Sequence, residues 1–187
     1  MTSIIAVKEK GIMYMASDRA ISCMERTYTS SYPKMYRTST AIVGHAGDSR
    51  LIARMEQEFK WRLPVRKTMS TAKMQSMFAD EVCVEMRSFL RDAVDADDDD
   101  FIGNKFAVDT LLVYAGRIIT IDNCTDVRIS SKNAECIGCG LNADLIYSAT
   151  SGSDLSVPAR LRKTLKIISD AMPTTVGPPF DVMELKK

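Results

Sequence analysis

Residues 1–19, MTSIIAVKEKGIMYMASDR, carry the pattern on which the fold prediction depends. Two apolar runs, Ser3–Val7 and Ile12–Ala16, are separated by a short polar segment that contains a glycine. Runs rich in Ile, Val and Tyr around such a segment are typical of a β-hairpin. The sequence therefore predicts two paired strands, with Thr2 directly before the first and Asp18 just past the second.

The composition limits the class of protein. The 187 residues predict one domain, covering 1–187, and their 45% apolar content is enough for a sizeable core. With 25 basic and 24 acidic residues the net charge is +1, which predicts no nucleic-acid partner and no anionic membrane partner. No run of about 18 apolar residues could cross a bilayer, and the first residues do not resemble a signal peptide.

The five cysteines indicate a reducing compartment. Their number is odd and two of them lie in apolar helix or strand patterns, so we expect reduced, buried thiols and a cytoplasmic location. Cys136 and Cys139 have the C-x-x-C spacing of redox and zinc sites. A four-thiolate zinc site needs a second pair, and only Cys124 is near in sequence. We therefore predict neither a metal nor a cofactor.

A helix is predicted after the first group of strands. The segment Gly44–Asp48 is predicted to break the preceding strand, and Asp48 or Ser49 is the expected N-cap. An apolar stripe at helical spacing then runs from 51 to 63, and Pro64 ends it.

The whole chain reads as strands, two long helices, more strands, two helices and a final strand. The acidic run at 92–100 is predicted to be a solvated loop, with a cation site as the alternative. Two antiparallel sheets, each with its own helix pair, would stack as a four-layer αββα sandwich of the α+β class. A three-layer α+β fold fits the same order. The predicted strands are 3–7, 12–16, 35–37, 41–43, 106–114, 117–122, 134–137 and 180–185, and the predicted helices begin at 48, 71, 142 and 158.

Thr2 has a chemistry of its own once Met1 is removed. A threonine hydroxyl is a weak nucleophile unless a base takes its proton, and an amino-terminal threonine carries that base in its α-amine, with a reference pKa of about 7.7–8.0. A nearby cation would lower the hydroxyl pKa and a carboxylate would hold the cation, roles that Lys34 and Asp18 could fill. Gly47, at the predicted helix start, could offer a backbone N–H to an oxyanion.

The joint spacing of these residues resembles that of the proteasome β-subunits and the bacterial HslV peptidase, which are N-terminal-nucleophile threonine peptidases. Thr2 opens an Ile/Val strand, Asp18 ends the next strand and Lys34 follows a loop, at the family's own spacings from the threonine. The run GHAG at 44–47 precedes a helix, and the segment 135–140 resembles a strand-to-helix Ile-Gly-Ser-Gly segment. The likeness covers nearly the whole chain and is carried by pattern more than by identity.

The resemblance implies a set of catalytic roles. Thr2 would be the nucleophile and its α-amine the base, Lys34 would lower the hydroxyl pKa, and Asp18 would hold Lys34. The Gly47 N–H would stabilise the tetrahedral oxyanion. Cys139 matches a serine whose hydroxyl helps to hold the threonine amine, although a thiol is the weaker hydrogen-bonding group.

The resemblance also extends to a further carboxylate and to substrate binding. Asp170 matches the catalytic carboxylate that follows the penultimate helix, although the residues after it depart from the family pattern. His45 matches a position that lines the pocket for the residue before the cleaved bond. The backbone of Ser22 would pair with an extended substrate as an added strand, and Ser49 is assigned to substrate binding as well.

These roles predict a threonine endopeptidase that forms an ester on Thr2, needs no cofactor and cleaves peptides or unfolded proteins inside a homo-oligomeric ring. HslV-like rings use a separate ATPase unfoldase, which the resemblance adds as a candidate partner. One alternative is a catalytically inactive subunit of a ring or shell, the expected outcome if Met1 is retained. Another is a different N-terminal-nucleophile hydrolase that acts on small amides.

Overall fold

The structure is a computed structural model that describes residues 2–23, 26–65, 69–92, 101–102, 105–139 and 142–186. Its strands and helices form an α+β architecture around two larger antiparallel sheets. Beyond Asp92, the acidic run of the sequence lies outside the described residues. Within the described ranges, no helix is long and apolar enough to cross a membrane.

The first sheet contains the predicted amino-terminal hairpin. Its strands lie in the order β12-β1-β2-β13, and every neighbouring pair is antiparallel. Residues Ser3 and Gly138 are opposite each other in the β1–β12 pair, which brings the segment after β12 next to Thr2. The strands are β1 (Ser3–Glu9), β2 (Ile12–Ser17), β12 (Ala134–Gly138) and β13 (Asp181–Leu185).

The second sheet has five strands in the order β11-β10-β9-β6-β5, again antiparallel throughout. Two short hairpins lie outside the two larger sheets, one formed by β3 (Ala20–Cys23) and β4 (Arg26–Thr29), the other by β7 (Phe101–Ile102) and β8 (Lys105–Phe106). The strands of the second sheet are β5 (Met35–Arg37), β6 (Ala41–Gly47), β9 (Val108–Tyr114), β10 (Arg117–Asp122) and β11 (Asp126–Ile129).

The helices form two groups, one between β6 and β7 along the chain and one between β12 and β13. α1 (Ser49–Gln57) is capped by Asp48, whose carboxylate accepts hydrogen bonds from the backbone N–H groups of Arg50 and Leu51. α2 (Thr71–Met77) and α3 (Cys83–Arg91) are continuous through a π-helical turn at Phe78–Val82. The second group contains α4 (Ala143–Ala149) and α5 (Val157–Ala171).

Side chains alternate between the two faces of each strand, and three apolar layers result. One layer fills the space between the two sheets. A second packs α1, α2 and α3 on the outer face of the five-stranded sheet, and a third packs α4 and α5 on the outer face of the four-stranded sheet. The four-layer αββα prediction is therefore confirmed over the three-layer one. Representative members are Ile4, Met15 and Leu111 of the first layer, Met55, Phe78 and Leu112 of the second, and Ile5, Tyr147 and Leu165 of the third.

The predicted strand break at Gly44–Asp48 is wrong. β6 continues to Gly47, and Gly44 pairs with Leu111 inside the sheet. A Cβ at Gly44 would lie 2.9 Å from Cδ1 of Ile4 in the facing sheet. A glycine is needed at this position because the two sheets approach each other closely there. In the sequence, the same glycine was interpreted as the sign of a turn.

The first helix also ends earlier than predicted. α1 stops at Gln57, yet Phe59 and Leu63 are still buried in the layer under the helices, from a segment that is not helical. An apolar residue can reach the core from a non-helical segment as well as from a helix. The apolar spacing therefore made the predicted helix about six residues too long. β11 was not predicted at all.

Candidate active site

The Asp18 carboxylate is the centre of the site. Asp18 has no exposed surface, and it follows β2 directly. Its Oδ1 accepts hydrogen bonds from the backbone N–H of Ser3 at 2.9 Å and from Lys34 Nζ at 3.0 Å. Its Oδ2 accepts from the backbone N–H of Ala20 at 2.9 Å and of Gly177 at 3.4 Å. A buried carboxylate is stable only when its oxygens are hydrogen-bonded in this way.

Lys34 is held beside the same cavity that Thr2 borders. Its side chain is 11% exposed, and its ammonium also donates to the carbonyl oxygen of Ala20. Burial lowers the pKa of Lys34, while the Asp18 carboxylate and Cys139 act in the opposite direction. Asp18 therefore keeps a desolvated ammonium in place, which is the pairing that the sequence predicted.

Thr2 is held by its carbonyl oxygen. That oxygen accepts hydrogen bonds from the Cys139 backbone N–H at 2.8 Å and from the Cys139 Sγ–H at 3.2 Å. Cys139 is thus next to Thr2, and its thiol contacts the Thr2 carbonyl oxygen. Its contact with an α-amine stays a prediction, because Met1 precedes Thr2 in this chain. Thr2 itself is only 8% exposed.

Two glycines near the cavity allow segments of backbone to approach each other closely. Gly138 has a φ of +79°, and a Cβ there would lie 2.0 Å from the Thr2 carbonyl oxygen. Gly47 has a φ of +129°, and a Cβ there would lie 1.9 Å from the carbonyl oxygen of Ala107. Gly47 is the last residue of β6, one position before the cap of α1, so the predicted oxyanion donor lies at a strand end and borders the cavity.

The cavity has a volume of about 980 Å³. Thr2, Lys34, Gly47 and Ser49 all border it, so the structure brings these predicted residues to one place. Ile21 of β3 borders it too. The backbone of Ser22, the next residue, pairs with Thr27 in the β3–β4 hairpin.

His45, which the resemblance assigns to the pocket, borders the cavity but has no exposed surface. Both of its ring nitrogens have partners within the protein. Nδ1 is 2.9 Å from Thr110 Oγ1, and Nε2 is 3.1 Å from the hydroxyl of Tyr36, which accepts from Trp61 Nε1 at 2.7 Å. Burial lowers the pKa of His45 to about 3, so the ring is neutral. Its contact with the Tyr36 hydroxyl holds Tyr36 in place.

Asp170 is not part of this cluster, contrary to the prediction. Its carboxylate is on the exposed side of α5 and accepts from Lys166 Nζ at 2.9 and 3.0 Å. The two residues are four apart on one helix, so the pair is a surface ion pair of small energy. The carboxylate role assigned to Asp170 has no geometric support.

Gly177, in the segment before β13, is a residue of the site that the sequence did not predict. Gly177 donates its backbone N–H to Asp18, and its carbonyl accepts from the Arg19 N–H at 3.2 Å. A backbone donor leaves no side-chain signal in a sequence, so only the fold reveals it.

The two thiols of the C-x-x-C spacing have different partners. Cys136 contacts Asp144 at 3.8 Å, whereas the Cys139 thiol contacts Thr2. In the part of the chain that the structure describes, no three His, Cys, Asp or Glu residues are grouped so that they could hold a metal ion.

Replacement of Gly138 by alanine tests how tightly Thr2 is held. The added Cβ would overlap the Thr2 carbonyl oxygen and would need a left-handed backbone, so we expect Gly138→Ala to lose about 2 kcal/mol or more of unfolding free energy. Gly152→Ala is the matched control, because nothing lies within 4 Å of a Cβ at Gly152. Urea denaturation of both variants measures the difference, and equal stabilities would contradict the close approach.

The burial of His45 predicts a pH dependence of stability. Its folded-state pKa of about 3 is below the ordinary 6.5, so as the pH falls the unfolded chain takes up a proton that the folded chain does not. The contribution is complete above pH 6.5 and is lost as the pH falls toward about 3. At pH 4.5 the loss amounts to roughly 2–3 kcal/mol.

We expect His45→Gln to remove most of that dependence, since an amide does not titrate. Unfolding free energies of wild type and variant, measured between pH 6.5 and 4.5, should therefore converge as the pH falls. Parallel curves would show that His45 is protonated equally in the folded and unfolded chains.

Comparison with known proteins shows the fold. No protein-family model matches the chain, and no curated protein sequence matches it. Among solved structures, Thiobacillus denitrificans BPH in complex with epoxomicin has a TM-score of 0.77 at 16% identity, covering 99% of this chain and 98% of that one. Eukaryotic HslV from Trypanosoma brucei has a TM-score of 0.67 at 19% identity, covering 100% of both chains.

A third similar structure, Anbu from Yersinia bercovieri, has a TM-score of 0.60 at 15% identity and covers 98% of this chain and 81% of that one. These identities are too low to carry more than the architecture. The chain has the proteasome-like N-terminal-nucleophile hydrolase fold.

Proposed function

We propose that the chain is a threonine peptidase subunit whose nucleophile is Thr2 after removal of Met1. The observation that carries the proposal is the buried Asp18 carboxylate, which joins the strand of Thr2 to Lys34 at the edge of a large cavity. Lys34 and Thr2 border the same cavity. Once Met1 is removed, a cation near the Thr2 hydroxyl would stabilise its alkoxide-like form.

In the proposed reaction the Thr2 α-amine takes the hydroxyl proton as Oγ1 attacks the peptide carbonyl carbon. The backbone N–H of Gly47 donates to the oxyanion that forms. The tetrahedral intermediate collapses, the C–N bond breaks, and the α-ammonium gives its proton to the leaving amine. An ester on Thr2 remains. Water, deprotonated by the same amine, then attacks the ester. The ester C–O bond breaks, the α-ammonium returns its proton to Thr2 Oγ1, and the carboxylic acid is released, so no cofactor is needed.

The assembly and the substrate are part of the same proposal. The likeness to HslV supports a single-domain subunit of a homo-oligomeric ring that acts on peptides or unfolded proteins, with a separate ATPase unfoldase as a candidate partner. A cytoplasmic location fits the free thiols of Cys83, Cys124, Cys136 and Cys139.

A second candidate is a subunit that has the fold but no catalysis. The exposed position of Asp170 favours it, because one carboxylate of the expected set is away from Thr2. The carboxylate of Asp48, adjacent to Gly47 at the cavity, also disfavours a developing negative charge there.

Intact mass spectrometry distinguishes the two candidates. The purified protein is weighed before and after incubation with a peptide epoxyketone, whose ring adduct requires both a threonine hydroxyl and a free α-amine. We expect loss of Met1 and one adduct per chain, and no adduct with Thr2→Ala. Ser3→Ala is the matched control: the Ser3 hydroxyl is buried and has no hydrogen-bond partner in the described structure, so the adduct should persist.

Retention of Met1 in a folded protein that forms no adduct would reject the peptidase and favour the non-catalytic subunit. Adduct formation together with hydrolysis of small amides, but not of peptides, would instead identify an amidase of the same fold.

A further inference from the structure

Helix α1 has two different faces, and one of them is a wall of the cavity. Leu51 and Met55 point into the core below the five-stranded sheet. The opposite face follows the helical spacing of three and four residues and borders the cavity over two turns. The residues of this wall are Ser49, Ile52, Ala53, Glu56 and Gln57.

Glu56 is at the far end of this wall from the Thr2 site. Ser49 follows Gly47 by two residues, and Glu56 is seven residues farther along the helix, which is about 10 Å at the α-helical rise of 1.5 Å per residue. Only a long side chain, entering beside Thr2 and Gly47, can reach a carboxylate at that depth.

The Glu56 carboxylate is half-buried and has no hydrogen-bond or ion-pair partner among the described residues. Burial raises its pKa, and no hydrogen bond or ion pair to another described residue compensates for the lost water. A desolvated carboxylate without a cation is an unfavourable arrangement in a free protein. It becomes favourable when a ligand brings the cation.

The other charged groups around the cavity are already engaged. Lys34 pairs with Asp18, and Arg37 donates to the carbonyl oxygen of Glu184. Asp48 caps α1 and lies 3.6 Å from Arg50. Glu56 is thus the charged residue of the cavity wall that has no partner within the described part of the chain.

Tyr36 borders the same cavity as Glu56, and no hydrogen bond joins the two residues in the described structure. Burial raises the pKa of Tyr36, the bond from Trp61 opposes the rise, and the Glu56 carboxylate adds to it. The Tyr36 oxygen accepts from Trp61 Nε1 and lies 3.1 Å from His45 Nε2. These hydrogen bonds of Tyr36 therefore go to Trp61 and His45 and not to the Glu56 carboxylate.

We propose that Glu56 selects lysine or arginine as the residue before the cleaved bond. This inference rests on the proposed peptidase function and adds the substrate class. The methylene stem of such a side chain would pack along Ile52 and Ala53 while its cation pairs with the carboxylate. Acidic side chains meet Asp48 and Glu56, and an apolar side chain would leave Glu56 desolvated and unpaired.

A series of peptide substrates that differ only before the cleaved bond tests the inference. We expect wild-type kcat/KM to be about tenfold or more higher for Arg and Lys than for Leu, and lowest for Glu. Glu56→Gln should lower kcat/KM for Arg by about 10- to 100-fold, the range expected for a partly buried charged hydrogen bond, and leave Leu unchanged. Glu56→Lys should favour Glu.

Glu58→Gln is the matched control, because Glu58 pairs with Arg54 at the surface and does not border the cavity. It should retain the wild-type order of substrates. A wild-type protein that prefers Leu, or an Arg preference that survives Glu56→Gln, would overturn the inference.

A binding measurement separates this inference from the peptidase proposal. If no peptide is hydrolysed and no epoxyketone adduct forms, the peptidase proposal fails, and the pocket is probed by ligand-observed NMR with N-acetyl-arginine amide and N-acetyl-norleucine amide. Stronger binding of the arginine compound to wild type than to Glu56→Gln still supports a cation-selective pocket. Equal binding of both compounds to both proteins overturns it.

Discussion

The Asp18 carboxylate is the interaction on which the site depends. Its four donors come from β1, from the start of β3, from Lys34 and from the segment before β13, so residues far apart in sequence are fixed around one buried charge. Removing any donor leaves a buried carboxylate with an unsatisfied lone pair, a cost of about 1–3 kcal/mol or more. The position of Thr2 is therefore set by electrostatics as well as by the sheet to which its strand belongs.

The site also depends on places where no side chain fits. Gly138 and Gly47 bring backbone oxygens to distances that a Cβ would forbid, and Gly44 lets the two sheets meet above Ile4. Close backbone contact positions the Thr2 carbonyl and the strand end at Gly47 without relying on flexible side chains. Tyr36 in the cavity wall is also held in place. Its hydroxyl is hydrogen-bonded both to His45, which is neutral and fully buried, and to Trp61.

The sequence predicted the architecture better than the details of the site. Period-two alternation and two blocks of helices were enough for the αββα layers, and the spacing of Thr2, Asp18 and Lys34 anticipated their convergence. The prediction at Gly44 was wrong because a glycine can mark either a turn or a place where two sheets pack closely, and the sequence does not distinguish the two. Asp170 followed a family pattern that the fold does not reproduce, and Gly177 acts through a backbone N–H that no residue type reveals. Glu56 gave no signal in the sequence, because its lack of a partner among the described residues becomes visible only in the fold.

The order of these donors along the chain has a consequence for biosynthesis. Thr2 leaves the ribosome well before Gly177 and the edge strand β13, which come much later in the sequence. The Asp18 carboxylate thus receives its hydrogen bond from Gly177 only after the segment that contains Gly177 has been synthesised. A nascent or truncated polypeptide that lacks this segment would carry Thr2 without its finished surroundings, so under the proposed function the late arrival of Gly177 would delay the onset of proteolysis.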